Sequence, residues 1–442
     1  MSLEYQSKYT EAGGLTIAYQ IWGNSNETLI YVPGMISHLE AALEDPEYID
    51  WIRTLSKKFK VIIFDKRGQG LSDRDSSAPN IEERMDDISA IVRTEGLDKF
   101  YLFGLSEGAA ISLLYAATFP QRVKSVAVFG GTSLFTRKED YKFLPSKEEL
   151  IEAFVPSWGQ GNSGYLFFPH RMPERKNEMA KMERMVCNPR TLKSILELLA
   201  SIDIRATLPD IKLPVLVMHN RDDRAISRHN GRYLADKIPG AKYIEYPTGG
   251  HLPWLEARTE IIKDSTSFYL KNLKESGNRD RNLATIMFTD IENSTKQMAD
   301  LGDKKWSEIM NLHDEMMKTS LEELGGKFLK NTGDGVLSVF DGPLRSIECA
   351  TACIQKLKSI GLNIRCGLHF GEVHWRNEDV TGIAVNIAAR VLDQSDSGQI
   401  TITKNLKDLL GDVKFATETL GEYNLKGLDG KWELFKIKQK EA

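Results

Sequence analysis

The chain of 442 residues is poor in cysteine. It has four, Cys187, Cys349, Cys353 and Cys366, and none stands in a Cys-x-x-Cys pair. That excludes a disulfide framework and argues against structural zinc, which needs closely paired thiolates. Long apolar runs are missing too: no stretch approaches the roughly 18 residues of a membrane-spanning helix. The opening MSLEYQSKYTEAGG lacks the basic start and apolar centre of a secretory signal. Positive charge is not in excess, since the formal net charge is −4, which disfavours nucleic acid as a general partner. No GxxxxGK[ST] string occurs, so phosphate-binding-loop chemistry is not expected. Repeats and low-complexity segments are also absent. These absences lead to the expectation of a cytoplasmic, reduced protein with no membrane span and no nucleic-acid partner.

What is present suffices for two cores. Apolar residues make up 41% and charged residues 27%, the balance of a globular protein. Between about 10 and 275, apolar runs alternate with helical patterns. The runs are TLIYVPG (28–34), KVIIFDKRGQG (60–70), KFYLFGLSEG (99–108), VKSVAVFGG (123–131), LPVLVMHN (213–220) and AKYIEYP (241–247). They are continuously apolar, which predicts a parallel sheet covered on both faces by helices. About 135–205 breaks this rhythm with Met-rich helical sequence, read as an inserted helical cap. The polar stretch KNLKESGNRDRN (271–282) marks the boundary. The expectation is a first α/β domain over 1–275, a linker over 276–282 and a second, α+β domain over 283–442.

GLSEG (104–108) fits G-x-S-x-G between a strand and a helix, which makes Ser106 a candidate nucleophile. HNRDDRAIS follows a strand and offers Asp222 or Asp223 as the acid. GGHLPW offers His251 as the base. The backbone N–H groups of Met35, after an early strand, and of Glu107 are candidate oxyanion donors. The order Ser…Asp…His and these motifs resemble the α/β-hydrolase fold family over about 10–275. The resemblance selects Asp223 as acid, with Asn220 in the place of the family's glycine, and leaves Asp222 as the alternative. Two positions depart from the family. Pro33-Gly34 replaces His-Gly, and Glu107 places a carboxylate directly after the nucleophile, where an inward orientation would oppose developing negative charge.

The second domain carries FTDIENST (288–295) and KNTGDG (330–335). These put Asp290 at a strand end and Asp334 at a Gly-flanked hairpin tip. Two such carboxylates can share divalent cations, and Mg²⁺ suits few carboxylates plus substrate phosphates. With DVTGIAVNIAAR (379–390) and YNLKGLDG (423–430), the segment 283–440 resembles the catalytic domain of class III nucleotide cyclases, a ferredoxin-like α+β fold. The resemblance implies two Mg²⁺ or Mn²⁺ ions held by Asp290, the Ile291 carbonyl and Asp334. It implies adenine selection by Lys330 and Asp379, and ribose orientation by Asn386. It places transition-state stabilisation on Arg390 and triphosphate binding on Lys426. In that family one protomer supplies the metal carboxylates and its partner the remaining groups, so a head-to-tail homodimer acting on ATP is expected.

The whole order resembles bacterial cyclases preceded by an α/β-hydrolase domain, as known in mycobacteria. That implies an adenylate cyclase in signal transduction; the further expectation is that the first domain is a sensor whose capped pocket binds a small apolar ligand. The alternative is an esterase whose cyclase-like domain only dimerises it.

Overall fold

The computed structural model describes residues 5–74, 80–272, 281–376, 379–410 and 415–438. The chain forms two compact units, Met1–Asn278 and Arg279–Ala442.

In the first unit, eight strands make one sheet: β1 (Tyr5–Ala12), β2 (Leu15–Trp22), β3 (Thr28–Val32), β4 (Lys60–Phe64), β5 (Phe100–Leu105), β6 (Val123–Phe129), β7 (Val215–Asn220) and β8 (Lys242–Tyr246). Their order is β1-β2-β4-β3-β5-β6-β7-β8. From β4 to β8 neighbours are parallel, as the continuous apolar runs predict. β1 and β2 add an antiparallel edge that the apolar runs did not reveal. β1 is exposed or half-buried along its length except at Ala12, as befits a strand at the sheet edge.

The helices of this unit are α1 (Leu39–Ala42), α2 (Pro46–Ser56), α3 (Ile81–Thr94), α4 (Glu107–Thr118), α5 (Lys147–Phe154), α6 (Gly164–Phe167), α7 (Lys176–Val186), α8 (Pro189–Ser201), α9 (Arg228–Lys237) and α10 (Arg258–Lys271). α5 to α8 lie between β6 and β7, where the sequence predicts the cap. Every residue of α4 is buried, so this helix packs on all sides instead of presenting one apolar stripe. Trp51, Phe59, Tyr101, Phe103 and Tyr269 join the central strands to α2 and α10 in one core.

The second unit begins with β9 (Arg281–Ile291), so residues 281–282 of the expected linker are strand; 273–280 lie outside the described residues. It continues with α11 (Ser294–Leu301), α12 (Asp303–Glu323), β10 (Lys327–Asn331), β11 (Val336–Phe340), α13 (Pro343–Lys358), β12 (Ile364–Arg376), β13 (Asp379–Thr381), α14 (Ile383–Leu392), β14 (Ile400–Thr403), α15 (Lys404–Leu410), β15 (Thr417–Tyr423) and β16 (Trp432–Ile437). The sheet order is β10-β11-β9-β12-β14-β16-β15, with β13 paired to β12. Only β12 and β14 are parallel among these pairs; the rest are antiparallel. Ala284 and Ile286, two apart on β9, share a core with Ala384 and Ala388 of α14.

Candidate functional site

In the first unit, the loops after β3, β5, β7 and β8 meet at the carboxyl ends of parallel strands, where open α/β sheets hold ligands. Ser106 turns the chain from β5 into α4 with φ 56° and ψ −118°. Positive φ is strained for a residue with a Cβ and persists only where packing enforces it. That packing is visible at Gly108, where an added Cβ would stand 2.1 Å from the Val32 carbonyl oxygen. The Ser106 side chain does not cap α4.

His251 Nδ1 donates to Asp223 Oδ2 at 2.7 Å. Burial alone would raise the Asp223 carboxyl, yet the His251 and His219 rings hold it well below the usual carboxylate range. The alternative, Asp222, faces the exposed His170 at 3.7 Å instead. His251 Nε2 is buried without a hydrogen-bond partner among the described residues. Ser106, His251 and Met35 line a cavity of about 280 Å³, together with Phe167, Phe168 and Trp254. Phe167, from the cap, stacks on the His251 ring at 5.7 Å.

Glu107 does not face this cavity's chemistry. Its side chain is fully buried and pairs with Lys66 and, at 3.4 Å, with Arg84 Nε. The concern raised by a carboxylate after the nucleophile therefore falls away. Loss of water pulls the Lys66 ammonium down to about 8, although Glu107 opposes the shift. Asn220, standing where the resembled family has glycine, donates from Nδ2 to the Gly250 carbonyl at 2.8 Å and so ties the His251 loop to β7. Lys66, Arg84 and His219 were not found from sequence, because no local pattern distinguishes a buried cation from a surface one.

In the second unit, Asp290 and Asp334 come together. A Cβ on Gly335 would sit 1.8 Å from the Thr289 carbonyl oxygen, so only glycine lets the hairpin tip press against the end of β9. The same Cβ would stand 3.1 Å from Asp290 Cα, so the residue after Asp334 lies against Asp290. Partial burial raises the Asp290 carboxyl above its ordinary range, the Asp334 charge adds to the rise, and Arg365 opposes it. Arg365, opposite Asp290 in the β9–β12 register, donates from Nε at 2.9 Å and Nη2 at 2.6 Å to Asp290 Oδ2. Ser294 Oγ donates to Asp334. Asn293, next to it, has φ 55°; it and Ser106 are the non-glycine residues with positive φ among the described residues.

This cluster fits a divalent cation. Two like charges are pressed together, and a cation between them would relieve the repulsion that raises Asp290. Among the described residues no group of three or more His, Cys, Asp or Glu could hold a metal, so any ion here needs further oxygens from water or phosphate. Ile291, whose carbonyl is a further expected ligand, ends β9.

Lys330 Nζ donates to Asp379 Oδ2 at 2.5 Å, bringing a donor and an acceptor side by side on an exposed surface. That contact lowers the Asp379 carboxyl. Asn386 and Arg390 lie on the outward face of α14, whose buried face is Ala384, Ile387, Ala388 and Val391. Arg390 bonds Asp393 at 3.0 Å and touches neither pair above in a hydrogen bond. Lys426 is exposed between β15 and β16. Arg365 and Ser294 were missed in the sequence; the register across two strands, which no spacing reveals, is what places Arg365.

Comparison with known proteins follows this division. The model of the alpha/beta hydrolase fold family matches residues 27–257, and that of the adenylate and guanylate cyclase catalytic domain matches residues 278–439. The chain is 26% identical over 210-odd positions (211 residues, 46% of this chain and 78% of that protein) to the AB hydrolase superfamily protein YisY of Bacillus subtilis. It is 23% identical over 266 residues to the human serine hydrolase BPHL, covering 58% of this chain and 83% of that protein. An esterase from Exiguobacterium antarcticum shares the fold at a TM-score of 0.54 and 20% identity, covering 60% of this chain and 100% of that one. No helix among the described residues is long and apolar enough to cross a membrane. The chain belongs to the α/β-hydrolase fold family and carries, as its second unit, a class III adenylate and guanylate cyclase catalytic domain.

Proposed function

We propose that the chain is an adenylate cyclase, converting ATP to cyclic AMP and diphosphate at a homodimer interface. The observation that carries this reading is the convergence of Asp290 and Asp334 at the end of β9, within a unit matched to cyclase catalytic domains. Mg²⁺ or Mn²⁺, two per site, held by Asp290, Asp334 and the Ile291 carbonyl, would lower the pKa of the ribose 3′-hydroxyl and neutralise the polyphosphate. The 3′-hydroxyl gives its proton to water, and its oxygen forms a bond to the α-phosphorus as the bond to the bridging oxygen breaks and diphosphate leaves with that electron pair. Lys330 donates to adenine N1 and Asp379 accepts from the exocyclic amine. Guanine presents the opposite pattern at both atoms, so both contacts fail. Asn386 orients the ribose, and Lys426 holds the triphosphate. Arg390 offers planar donors to the charge growing on the α-phosphoryl oxygens.

The outward face of α14 supports a dimer. Ile383, 63% exposed, is in line with Asn386 and Arg390, an apolar side chain placed where a partner surface would cover it. Asn386→Ala in the purified chain should lower cyclic AMP formation by about 10²-fold with ATP binding retained; an unchanged rate would count against the role of α14.

The first unit is read as a ligand sensor whose cavity takes a small apolar molecule and shifts the cyclase dimer between states. An occupant of the cavity should then change the cyclase rate at fixed ATP; a rate indifferent to it would remove the sensor reading. A second reading is favoured by the strained Ser106 and the Asp223–His251 bond: this unit itself hydrolyses carboxylic esters. Turnover of a p-nitrophenyl ester, lost in Ser106→Ala, tests it.

A further inference from the structure

Beneath the Ser106 turn lies a charge cluster that ester chemistry at the surface of the cavity would not by itself require. Lys66 is 1% exposed and Glu107 not at all. Their side chains meet in an ion pair, and Arg84 closes on the other carboxylate oxygen at 3.4 Å. Arg84 in turn donates to the Arg67 carbonyl at 2.8 Å, and Arg67 pairs with the buried Asp87 at 2.7 Å. Burying such charges is not a route to stability, since well-packed apolar side chains of similar volume do as well or better. Their placement points to another purpose.

Lys66 Nζ has a second partner, the Gly34 carbonyl oxygen at 2.6 Å. That oxygen belongs to the same planar peptide unit as the Met35 N–H. Fixing the oxygen of a trans peptide fixes the direction of its N–H, and a cationic donor on the oxygen makes the N–H a stronger donor. The same loop is pinned again one residue on, where Gln69 Nε2 donates to the Met35 carbonyl at 2.5 Å and Ser37 Oγ donates to Gln69 at 3.0 Å. A Cβ on Gly34 would stand 3.0 Å from Ser106 Cβ, so this peptide lies directly against the serine. Glu107, which holds Lys66, also contributes its own N–H at the start of α4 beside the serine.

We propose that Lys66 is a positioning residue: clamped by Glu107, it holds the Gly34–Met35 peptide so that the Met35 N–H and the Glu107 N–H form an oxyanion hole over Ser106. This rests on the reading of Ser106 as a nucleophile. In the step it serves, Ser106 Oγ bonds to an ester carbonyl carbon and its proton passes to His251 Nε2. The carbonyl π pair moves onto oxygen, where the two N–H groups meet it. Collapse expels the alcohol, which takes the proton back, and water repeats the sequence to release the acid and free Ser106.

The test uses the full chain with p-nitrophenyl butyrate, and counts competent sites by titration with a fluorophosphonate. Wild type, Lys66→Met and the double variant Lys66→Met/Glu107→Gln are compared for kcat per titrated site, KM and thermal unfolding. Lys66→Met leaves a buried carboxylate short of its partner and should unfold at lower temperature. The double variant removes both charges of that pair and leaves Arg84 an amide oxygen in place of the carboxylate, so it should regain part of that stability. In both, kcat per titrated site is expected to fall about 10–100-fold with KM within about 3-fold, because an oxyanion donor acts in the transition state. Wild-type kcat per titrated site in the stable double variant would overturn the proposal, since a merely structural pair would recover with stability. Wild type that neither titrates nor turns over would instead overturn the reading of Ser106.

Discussion

Two acidic side chains pressed together, Asp290 and Asp334, and a cation–anion pair left in the open, Lys330 and Asp379, make opposite demands on the fold. The first pair costs stability without a cation. The second, with its side chains 50% and 44% exposed, contributes about 0–1 kcal/mol at most. Lys330→Met is therefore expected to leave thermal unfolding within about a degree or two while lowering the ATP-over-GTP ratio of kcat/KM about 10–100-fold. Steady-state assays with both nucleotides, beside a melting curve, check this. His369 gives a different residue-scale expectation. Burial holds its imidazole down to about 3, against 6.5 when exposed. Between those values the unfolded chain binds a proton that the folded chain refuses, so stability falls as pH drops below 6.5 and is unaffected above it. From pH 6.5 to about 5 the loss should be about 2 kcal/mol, and His369→Asn should flatten it; denaturant titrations across that range measure the slope. Residues of this scale were legible where a motif gathers them locally. Asp290, Asp334, Ser106 and His251 each sit in a short string that states their geometry. Lys66 and Arg365 were not legible, since each meets its acid across a separation, 41 and 75 residues, that only the folded sheet closes.

At the scale of elements, both sites depend on glycines that permit close approach between a turn and a neighbouring strand. Gly335→Ala places a methyl group against the Thr289 carbonyl, at 1.8 Å before relaxation. Separating β11 from the end of β9 is expected to cost about 1–3 kcal/mol and to remove cyclase activity by parting Asp290 from Asp334. Cyclic AMP assays and unfolding of the same preparation decide whether the two effects go together. The parallel strands β3 to β7 were readable because strands buried on both faces are apolar throughout. The edge hairpin β1–β2 was not, because β1 is polar and largely exposed and the partner of β2 lies on β4, beyond an intervening strand.

For the whole molecule, the central question is where the complete set of cyclase groups is assembled. Asp290 and Asp334 belong to one cluster, Lys330 and Asp379 to another, and Asn386 and Arg390 look outward from α14. A head-to-tail pair of chains would join them into two equivalent sites. Neither Asp334→Ala nor Arg390→Ala should make product alone. Mixed in equal amounts they should regain about a quarter of wild-type activity, because half the dimers carry one intact site of two. Failure to complement, with both variants folded, would remove the shared-site account.

The most direct measurement is cyclic AMP formation from ATP and Mn²⁺ by the purified full chain, beside Asp334→Ala and a GTP control, over a range of protein concentrations. Product is expected from ATP, at least about tenfold less from GTP, none from the variant, and a specific activity that rises with protein concentration. Equal product from wild type and Asp334→Ala, or no product from wild type at any concentration, would contradict the cyclase reading.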